Sequence, residues 1–379
     1  MQKTIIIIIA FLLILFTLFV PPFFGKSDDG SFYNVLRANG LYNLDGSEIG
    51  RFNPQFGVGG EDTGAHFLPV SIAKAFAGEI FDIRLLALIY LPMYFAGFCL
   101  IIASIKSKNK YIHLVISVLA AIILCDIGYI GYFNSFYTDA LYISTFTLLA
   151  GSLMFMLSNG KTNIPCLLLS VLSSALLAMS KTGIVAAILA AVIIARFCFV
   201  GKAKAVPLAA AVLILATSLV LCGTAPTYET AEAQGTDISM ETFDSAAKNA
   251  PFLSQEYIPN TSTADYALKK PVGLWSYFRR FVTPASLLVM AVFFIAVLVI
   301  AIKDLKKEPG IADIAILLAV SSVVYFVSPV ITGGLASISR KLIMHQLSLD
   351  ITIIIAVGWI CNTLLARREH LQKTYGVNQ

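Results

Sequence analysis

Long apolar runs, separated by short polar stretches, make up most of the chain. A helix needs roughly 20 apolar residues to cross about 30 Å of hydrocarbon. On that criterion the pattern predicts an all-α polytopic membrane protein with about ten membrane-spanning helices. The predicted spans are residues 4–20, 83–105, 112–131, 138–157, 164–180, 183–200, 206–222, 283–302, 311–330 and 347–365.

The first span is followed by Pro21-Pro22, where the removal of a signal peptide would require small residues. We therefore interpret this span as an uncleaved anchor, with a signal peptide as the alternative. The spans form a single predicted domain over residues 1–365, and residues 366–379 form a short basic cytoplasmic tail.

Two long segments, residues 21–82 and 223–282, interrupt the series of spans. A chain that only has to cross the membrane needs short turns, so segments of this length indicate a functional site. We expect each to carry a short interfacial helix. In the first segment, the apolar positions that share one helical face are Phe67, Val70, Ala73 and Phe76.

Composition supports the membrane assignment. The chain has 379 residues, of which 58% are hydrophobic and 13% charged, and its mean hydropathy is +0.83. Soluble proteins carry about 25% charged residues, so a soluble enzyme and a nucleic-acid-binding protein are both excluded. The six cysteines lie in or beside apolar runs without a CxxC pair, which is typical of buried thiols rather than of disulfides or a metal site.

The distribution of basic residues predicts the orientation. If the N-terminus is cytoplasmic, most Lys and Arg residues fall in short inner loops, as the positive-inside rule requires. Both termini are then cytoplasmic and both long segments extracytoplasmic. The short outer loops contain Lys181, Arg340 and Lys341, whereas the inner loops and tails contain Lys3, Lys106, Lys108, Lys110, Lys161, Arg196, Lys202, Lys204, Lys303, Lys306, Lys307, Arg367, Arg368 and Lys373.

The first candidate for chemistry is the motif SDDGSFYNVLRANGLY at residues 27–42. Asp28 and Asp29 precede a helical stretch in which Tyr33 and Arg37 follow at i+4 spacing. Paired carboxylates at a membrane surface can act as a general base or hold a divalent cation. The alternative is an Asp-Asp-Gly turn that caps the helix.

The second candidate is DIGYIGYFNSFYTDALY at residues 126–142, where Asp126 and Asp139 bracket an aromatic-rich turn. Acidic residues this close to hydrocarbon are functional candidates. The aromatic side chains could stack on a sugar ring, or they could form an interfacial belt. The alternative role of Asp139 is to complement the dipole of the helix that it begins.

Basic residues on the outer side form the third candidate. A lipid-linked phosphate would explain Lys181 and Arg340, because Arg can clamp a phosphate and Lys offers a point charge. For Arg279 and Arg280, beside the aromatic WSYF stretch, we expect the side chains to snorkel to lipid headgroups.

These motifs resemble those of the GT-C superfamily of integral-membrane glycosyltransferases, and within it a group of bacterial hexosyltransferases of surface-glycan biosynthesis. The resemblance is carried by SDDGSFYNVLRANGLY, HFLPVSIAKAF, FDIRLLALIY, YFNSFYTDALY, LLAMSKTGIVAAIL and ISRKLIMHQLSLDI. It implies an enzyme of the bacterial cytoplasmic membrane. Its active site would be extracytoplasmic and would transfer a sugar, expected to be a hexose, from a polyprenyl-phosphate carrier to a cell-surface glycan or glycolipid.

The resemblance also implies roles for individual residues. Asp29, with Asp28, would be the catalytic acid of the first loop, acting as the base on the acceptor hydroxyl or as a ligand of Mg²⁺ or Mn²⁺. Asp139 would be the second catalytic carboxylate. The implied partners are the lipid-linked donor, the acceptor and membrane lipids, without nucleic acid. The implied substrate-binding residues are Lys181, Arg340, Lys341, Tyr33, Arg37, Tyr137 and His66.

Two alternatives stay open. An O-antigen-type polymerase or ligase has a similar size, span count and outer loop, and would use outer-loop arginines such as Arg279 and Arg280. A transporter or flippase of lipid-linked sugars is expected to place charged residues near mid-membrane along a path. Nearly every charge in this chain lies at the end of a span, which disfavours a transporter.

Overall fold

A computed structural model gives the architecture for most of the chain. Every predicted apolar run coincides with helical structure. The described residues are 2–21, 23–26, 32–43, 51–54, 67–105, 109–160, 163–178, 183–200, 205–224, 240–249, 279, 282–284, 286–305, 309–333 and 342–375.

The elements follow one another as helices, with three short strands near the N-terminus. The helices are α1 (Gln2–Phe19), α2 (Phe32–Ala38), α3 (Phe67–Phe76), α4 (Arg84–Ser104), α5 (Lys110–Leu124), α6 (Ile127–Ile130), α7 (Asp139–Asn159), α8 (Ile164–Ala178), α9 (Ile184–Val200), α10 (Ala205–Thr224), α11 (Met240–Asn249), α12 (Leu287–Asp304), α13 (Pro309–Gly333) and α14 (Ile343–Tyr375). The strands are β1 (Leu41–Asn43), β2 (Arg51–Pro54) and β3 (Phe81–Asp82), and a 3₁₀ helix covers Gly131–Asn134.

Five of the described helices are long and apolar enough to cross a membrane, namely α4, α7, α12, α13 and α14. The predicted third span is not one straight helix: it is the pair α5 and α6, bent by 42° at a short break, and counting this pair as one span raises the number to six. The described apolar parts of α1, α8, α9 and α10 are shorter. The multi-pass membrane architecture is therefore confirmed, and the count of about ten spans stays a prediction.

Helices α4 and α7 pack backbone to backbone at the centre of the fold. A Cβ atom added at Gly97 would lie 2.5 Å from the carbonyl oxygen of Thr147, and one added at Gly151 would lie 2.3 Å from the carbonyl oxygen of Gly97. Small residues are what allows membrane helices to approach so closely. Because α4 and α7 run parallel, both begin at the same end of the bundle. Helix α1 ends, and helices α4, α7 and α14 begin, at the same end of the bundle. We call this end of the bundle the loop end.

The first long segment folds onto the loop end as a small α/β unit that the sequence did not predict. Its strands form an antiparallel sheet in the order β1-β2-β3. Asp82 accepts hydrogen bonds from the backbone and the side chain of Arg84, at the start of α4. Burial alone would raise the pKa of Asp82, but the bonds from Arg84 outweigh this and hold its pKa below the ordinary value. The ion pair thus ties the sheet to the first long span.

Helix α3 lies where it was predicted, but only part of its predicted apolar face is buried. Val70 and Ala73 are buried against the protein, whereas Phe76 is 78% exposed. The exposed apolar side chains lie on another face, formed by Leu68, Ile72 and Phe76 at i+4 spacing. The helix therefore packs against the fold with one face and leaves a different apolar face uncovered.

Candidate functional site

The candidate site begins at the break between α5 and α6. The carbonyl of Leu124, at the end of α5, accepts a hydrogen bond from the buried hydroxyl of Tyr94. Asp126 then starts α6, because its Oδ1 accepts the backbone N–H of Gly128 at 2.9 Å. This cap uses one oxygen of the Asp126 carboxylate and leaves Oδ2 for another partner.

That partner is Arg279, whose side chain is only 1% exposed. Its Nη1 lies 3.2 Å from Oδ2 of Asp126, and its Nε lies 2.6 Å from Oδ2 of Asp350. Its Nη2 donates to the hydroxyl of Tyr129 at 3.1 Å. The guanidinium thus contacts three side chains on two segments of the chain, Asp126 and Tyr129 at α6 and Asp350 in α14. We call Arg279, Asp126, Asp350 and Tyr129 the arginine cluster.

Asp350 is fully buried and its carboxylate is well supplied with donors. Besides Arg279, the Tyr129 hydroxyl donates to Oδ2 at 2.7 Å. The side-chain amide of Gln346, one helical turn earlier in α14, donates to Oδ1 at 3.2 Å, and the Thr283 hydroxyl lies 3.4 Å from the same atom. A buried carboxylate needs such partners, because burial without them is costly.

The prediction that Arg279 snorkels to lipid headgroups is wrong. Burial disfavours its charge, yet the neighbouring Asp350, Tyr129 and Asp126 outweigh burial and raise the pKa of Arg279 above its ordinary value. The guanidinium is therefore a fixed positive charge inside the protein. Arg280 lies outside the described residues.

The aromatic side chains between Asp126 and Asp139 are interior. We call Tyr129, Tyr132, Phe133, Phe136 and Tyr137 the aromatic loop, and all five are buried. Phe136 packs edge-on against Phe52 of β2, with ring centroids 5.0 Å apart, and stacks on Phe81 of β3. The sequence left open whether these side chains stack on a sugar or form an interfacial belt, whereas the structure buries them inside the protein, and Phe136 packs against the small sheet.

The chain on both sides of the Asp28-Asp29 motif contacts this aromatic loop. Before the motif, Lys26 is 5% exposed and its Nζ lies 5.0 Å from the centroid of the Tyr132 ring. After the motif, the Phe32 ring packs edge-on against Tyr137 at 4.7 Å and against Phe136 at 5.4 Å. The first and second sequence motifs are therefore brought together at the loop end.

Asn134 reinforces this arrangement from the middle of the aromatic loop. Its side-chain amide donates to the carbonyl of Leu18 at 3.0 Å and to that of Phe24 at 2.7 Å. These carbonyls lie at the end of α1 and in the turn that follows it. Asn134 is fully buried, and its Oδ1 has no hydrogen-bond partner.

The second long segment contacts the loop end at two described places. One is Arg279. The other is α11, which packs beside α12 and α13, with the ring of Phe243 6.1 Å from that of Phe326. Phe326 in turn packs against His345 at 4.9 Å. His345 and Gln346 belong to the first turn of α14, one turn before Asp350, so both contacts meet at the start of the same helix.

The structure describes some of the residues predicted for the site. Tyr137 is buried, Arg37 is exposed in the last turn of α2, and Asp139 is the partly buried first residue of α7. Tyr33 lies in α2, but its side chain is outside the described part of the chain. Also outside it are Asp28, Asp29, His66, Lys181, Arg340 and Lys341. The roles proposed for all of these residues stay predictions.

The sequence analysis missed two features of this region. Lys26 was not singled out, because a lysine just after an apolar span usually lies among headgroups. The arginine cluster was missed because its members are 71 and 153 residues apart in the chain. The one signal was Asp350, an acidic residue within an apolar run and therefore in need of a buried partner.

The described residues were also searched for metal ligands. Among them, no group of three or more His, Cys, Asp or Glu side chains is arranged to hold a metal ion. The predicted Mg²⁺ or Mn²⁺ ligands, Asp28 and Asp29, lie outside that part of the chain. Among the cysteines described in detail, Cys125 and Cys166 are buried, as predicted, whereas Cys99 and Cys361 are only partly buried.

These features define a polytopic helical membrane protein with buried charged groups at one end of its helix bundle. A family model described as the YfdI N-terminal transmembrane domain matches residues 1–237 and 237–377. The chain belongs to this family. No curated protein and no solved structure matches the chain.

Proposed function

We propose that this protein is an integral-membrane glycosyltransferase of the bacterial cytoplasmic membrane. It transfers a hexose from a polyprenyl-phosphate carrier to a cell-surface glycan or glycolipid on the extracytoplasmic side. Its membership of a family associated with membrane glycosyltransferase-like proteins supports this proposal.

The observation that carries the proposal is the contact of Lys26 and Phe32 with the aromatic loop. Asp29 is three residues from each of them, and an extended chain covers at most about 3.6 Å per residue. Asp29 is therefore joined by a short stretch of chain to two residues that contact the aromatic loop. In the proposal, the acidic motif acts beside this loop.

Glycosyl transfer needs two kinds of group, and the proposal assigns both of them to this region. A carboxylate removes the proton from the acceptor hydroxyl, and a fixed cation stabilises the negative charge that builds up on the departing phosphate. In the proposal, Asp29 is the base, and Lys26 joins Lys181 and Arg340 as a cation for the carrier phosphate. Because the carrier lipid remains in the membrane, its phosphate reaches these groups at the depth where the spans end.

The polymerase alternative relied on Arg279 and Arg280. The guanidinium of Arg279 already donates to Asp126, Asp350 and Tyr129, and it is buried. An arginine with these partners is poorly placed to meet a substrate, so this alternative now depends on Arg280. The transferase proposal does not require either arginine to touch the substrate.

The direct test uses the purified protein in liposomes with a series of polyprenyl-phosphate hexoses. Membranes from a strain that lacks the protein serve as the acceptor source. We expect hexose transfer by the wild type, a loss of at least about 100-fold for Asp29→Asn, and wild-type activity for Glu79→Gln. Glu79 is an exposed acid of the same segment and serves as the matched control. Equal activity of Asp29→Asn and wild type would remove Asp29 from the mechanism.

A further inference from the structure

The arginine cluster joins parts of the protein that are distant in sequence. Arg279 stands at the end of the second long segment, Asp126 at the break before the aromatic loop, Tyr129 in that loop, and Asp350 in the last helix. Removing the Arg279 side chain would therefore remove contacts with three residues, Asp126, Tyr129 and Asp350.

Stability is a poor explanation for such a cluster. Taking a guanidinium and two carboxylates out of water costs several kcal/mol per ion, and apolar residues of similar volume often stabilise a protein as well or better. With both carboxylates ionised, the cluster also keeps a net charge of −1 in a buried place. What buried, multiply bonded charges do provide is a unique geometry, because each donor has only one satisfactory partner.

The geometry fixed here is that of the second long segment against the aromatic loop. The segment contacts the loop end through α11, by way of Phe243 and Phe326, and again through Arg279. The first contact continues from Phe326 to His345, and the second is the ion pair of Arg279 with Asp350. His345 and Asp350 both lie in the first turns of α14. The same helix follows directly on Arg340 and Lys341, the cations proposed to hold the carrier phosphate.

We propose that Arg279 is a positioning residue. Through Asp126 and Asp350 it fixes the end of the second long segment against the aromatic loop and α14, and so holds the aromatic loop, beside which the proposed active site lies, in place relative to α14. This inference rests on the proposed function. It assigns Arg279 no contact with the substrate.

The test separates positioning from stability. The variants are Arg279→Gln, Asp350→Asn and the double variant, which removes one positive and one negative charge and so leaves the cluster at its original net charge. We expect Arg279→Gln to lower the thermal midpoint most, because it leaves the buried carboxylates of Asp126 and Asp350 without their cation. Asp350→Asn should lower it less, because Arg279 keeps Asp126 as a partner. We expect the double variant to recover much of the loss seen in Arg279→Gln, since only Asp126 then carries a buried charge, and still to transfer hexose about 100-fold more slowly, chiefly through kcat, because small displacements of reacting groups are costly.

A matched control is the ion pair between Arg196 and Asp313, in which Nε and Oδ1 are 2.8 Å apart. It lies at the opposite end of the helices, in the last turns of α9 and the first turns of α13. The double variant Arg196→Gln with Asp313→Asn should keep wild-type kcat in its folded fraction. If the Arg279 and Asp350 double variant regains activity together with its thermal midpoint, the cluster is only structural and the proposal is overturned.

If the double variant does not fold, two further measurements can still test the positioning role of Arg279. Arg279→Lys keeps the charge, but its single nitrogen cannot reproduce the separate positions of Nε, Nη1 and Nη2 that contact Asp350, Asp126 and Tyr129, so we expect a folded protein with reduced kcat. Wild-type kcat in Arg279→Lys would overturn the proposal. Amide exchange over residues 279–286 should rise in Asp350→Asn while exchange in α4 and α7 stays unchanged.

The exchange measurement does not depend on the proposed function. If wild type and Glu79→Gln transfer no hexose, the proposed function fails, and faster exchange near Arg279 still supports the fixing of this segment. If exchange near Arg279 is unchanged in Asp350→Asn, the positioning role fails, whatever the transfer assay shows.

Discussion

Arg279 and Asp350, 71 residues apart in the chain, form an ion pair in which Nε lies 2.6 Å from Oδ2 and both side chains are almost completely buried. Asp126 contacts the same guanidinium from a third segment, at 3.2 Å. These contacts connect the end of the second long segment to the aromatic loop and to the last helix. Buried ion pairs therefore help to hold the loop end together, in addition to apolar packing.

Asp126 has two separable roles, and two substitutions should distinguish them. Asp126→Asn keeps an oxygen that can cap α6, and it leaves Arg279 paired with Asp350, so we expect a loss of unfolding free energy below about 1 kcal/mol. Asp126→Ala removes the cap and also one acceptor of Arg279, so we expect a loss of about 2–4 kcal/mol. Thermal unfolding in detergent measures both, and equal losses would mean that the charge of Asp126 matters more than its cap.

Lys26 should matter for use of the lipid-linked donor. Lys26→Met keeps an apolar side chain against Tyr132 but removes the charge, so we expect kcat/KM for the donor to fall about 100-fold. Lys110, which lies 5.1 Å from the ring of Tyr111 at the opposite end of the helices, provides the control. If Lys26→Met and Lys110→Met behave alike in steady-state kinetics, Lys26 has no role in donor binding.

Because α4 and α7 pack so closely, we expect that one methyl group added at their contact strongly lowers the stability of the protein. Gly151→Ala would place Cβ about 2.3 Å from the backbone oxygen of Gly97, so the helices must separate, at a cost of about 3 kcal/mol. Gly358→Ala in α14 is the control, because its added Cβ would meet only the Ile116 side chain at 3.7 Å. Thermal unfolding of both variants checks this, and a neutral Gly151→Ala would contradict the close packing.

Orientation can be tested by labelling from outside intact cells. Lys248, in α11, is well exposed, so a cysteine there should react with a membrane-impermeant maleimide before lysis. A cysteine at Lys110, at the start of α5, should react only after lysis. The reverse pattern would invert the predicted topology and place the loop end in the cytoplasm.

Much of the fold could be predicted from the sequence, because a membrane-spanning helix can be recognised from a continuous run of apolar residues. Each apolar run became helical, and Asp139 begins a helix as expected. The break after Leu124 could not be predicted in this way, because the run through residues 112–131 is apolar on both sides of Asp126. Only the capping carboxylate of Asp126 hints that a new helix starts there.

The candidate site was less predictable, since it depends on contacts between distant residues. Asp126 was recognised as a candidate, but its partner Arg279 was assigned to the membrane surface, because local sequence cannot distinguish a snorkelling arginine from a buried one. The burial of the aromatic loop was missed for the same reason. One of its rings, Phe136, packs against β2 and β3, which are short strands that carry little local signal in the sequence.

Mass spectrometry of the surface glycan is the most direct test of the proposed transferase. A strain deleted for this protein would be complemented with wild type, Asp29→Asn or Glu79→Gln. We expect one hexose-sized mass to disappear on deletion and to return with wild type and Glu79→Gln but not with Asp29→Asn. A collapse of glycan chain length on deletion would instead indicate a polymerase. An unchanged glycan in the deletion strain would contradict the proposed function outright.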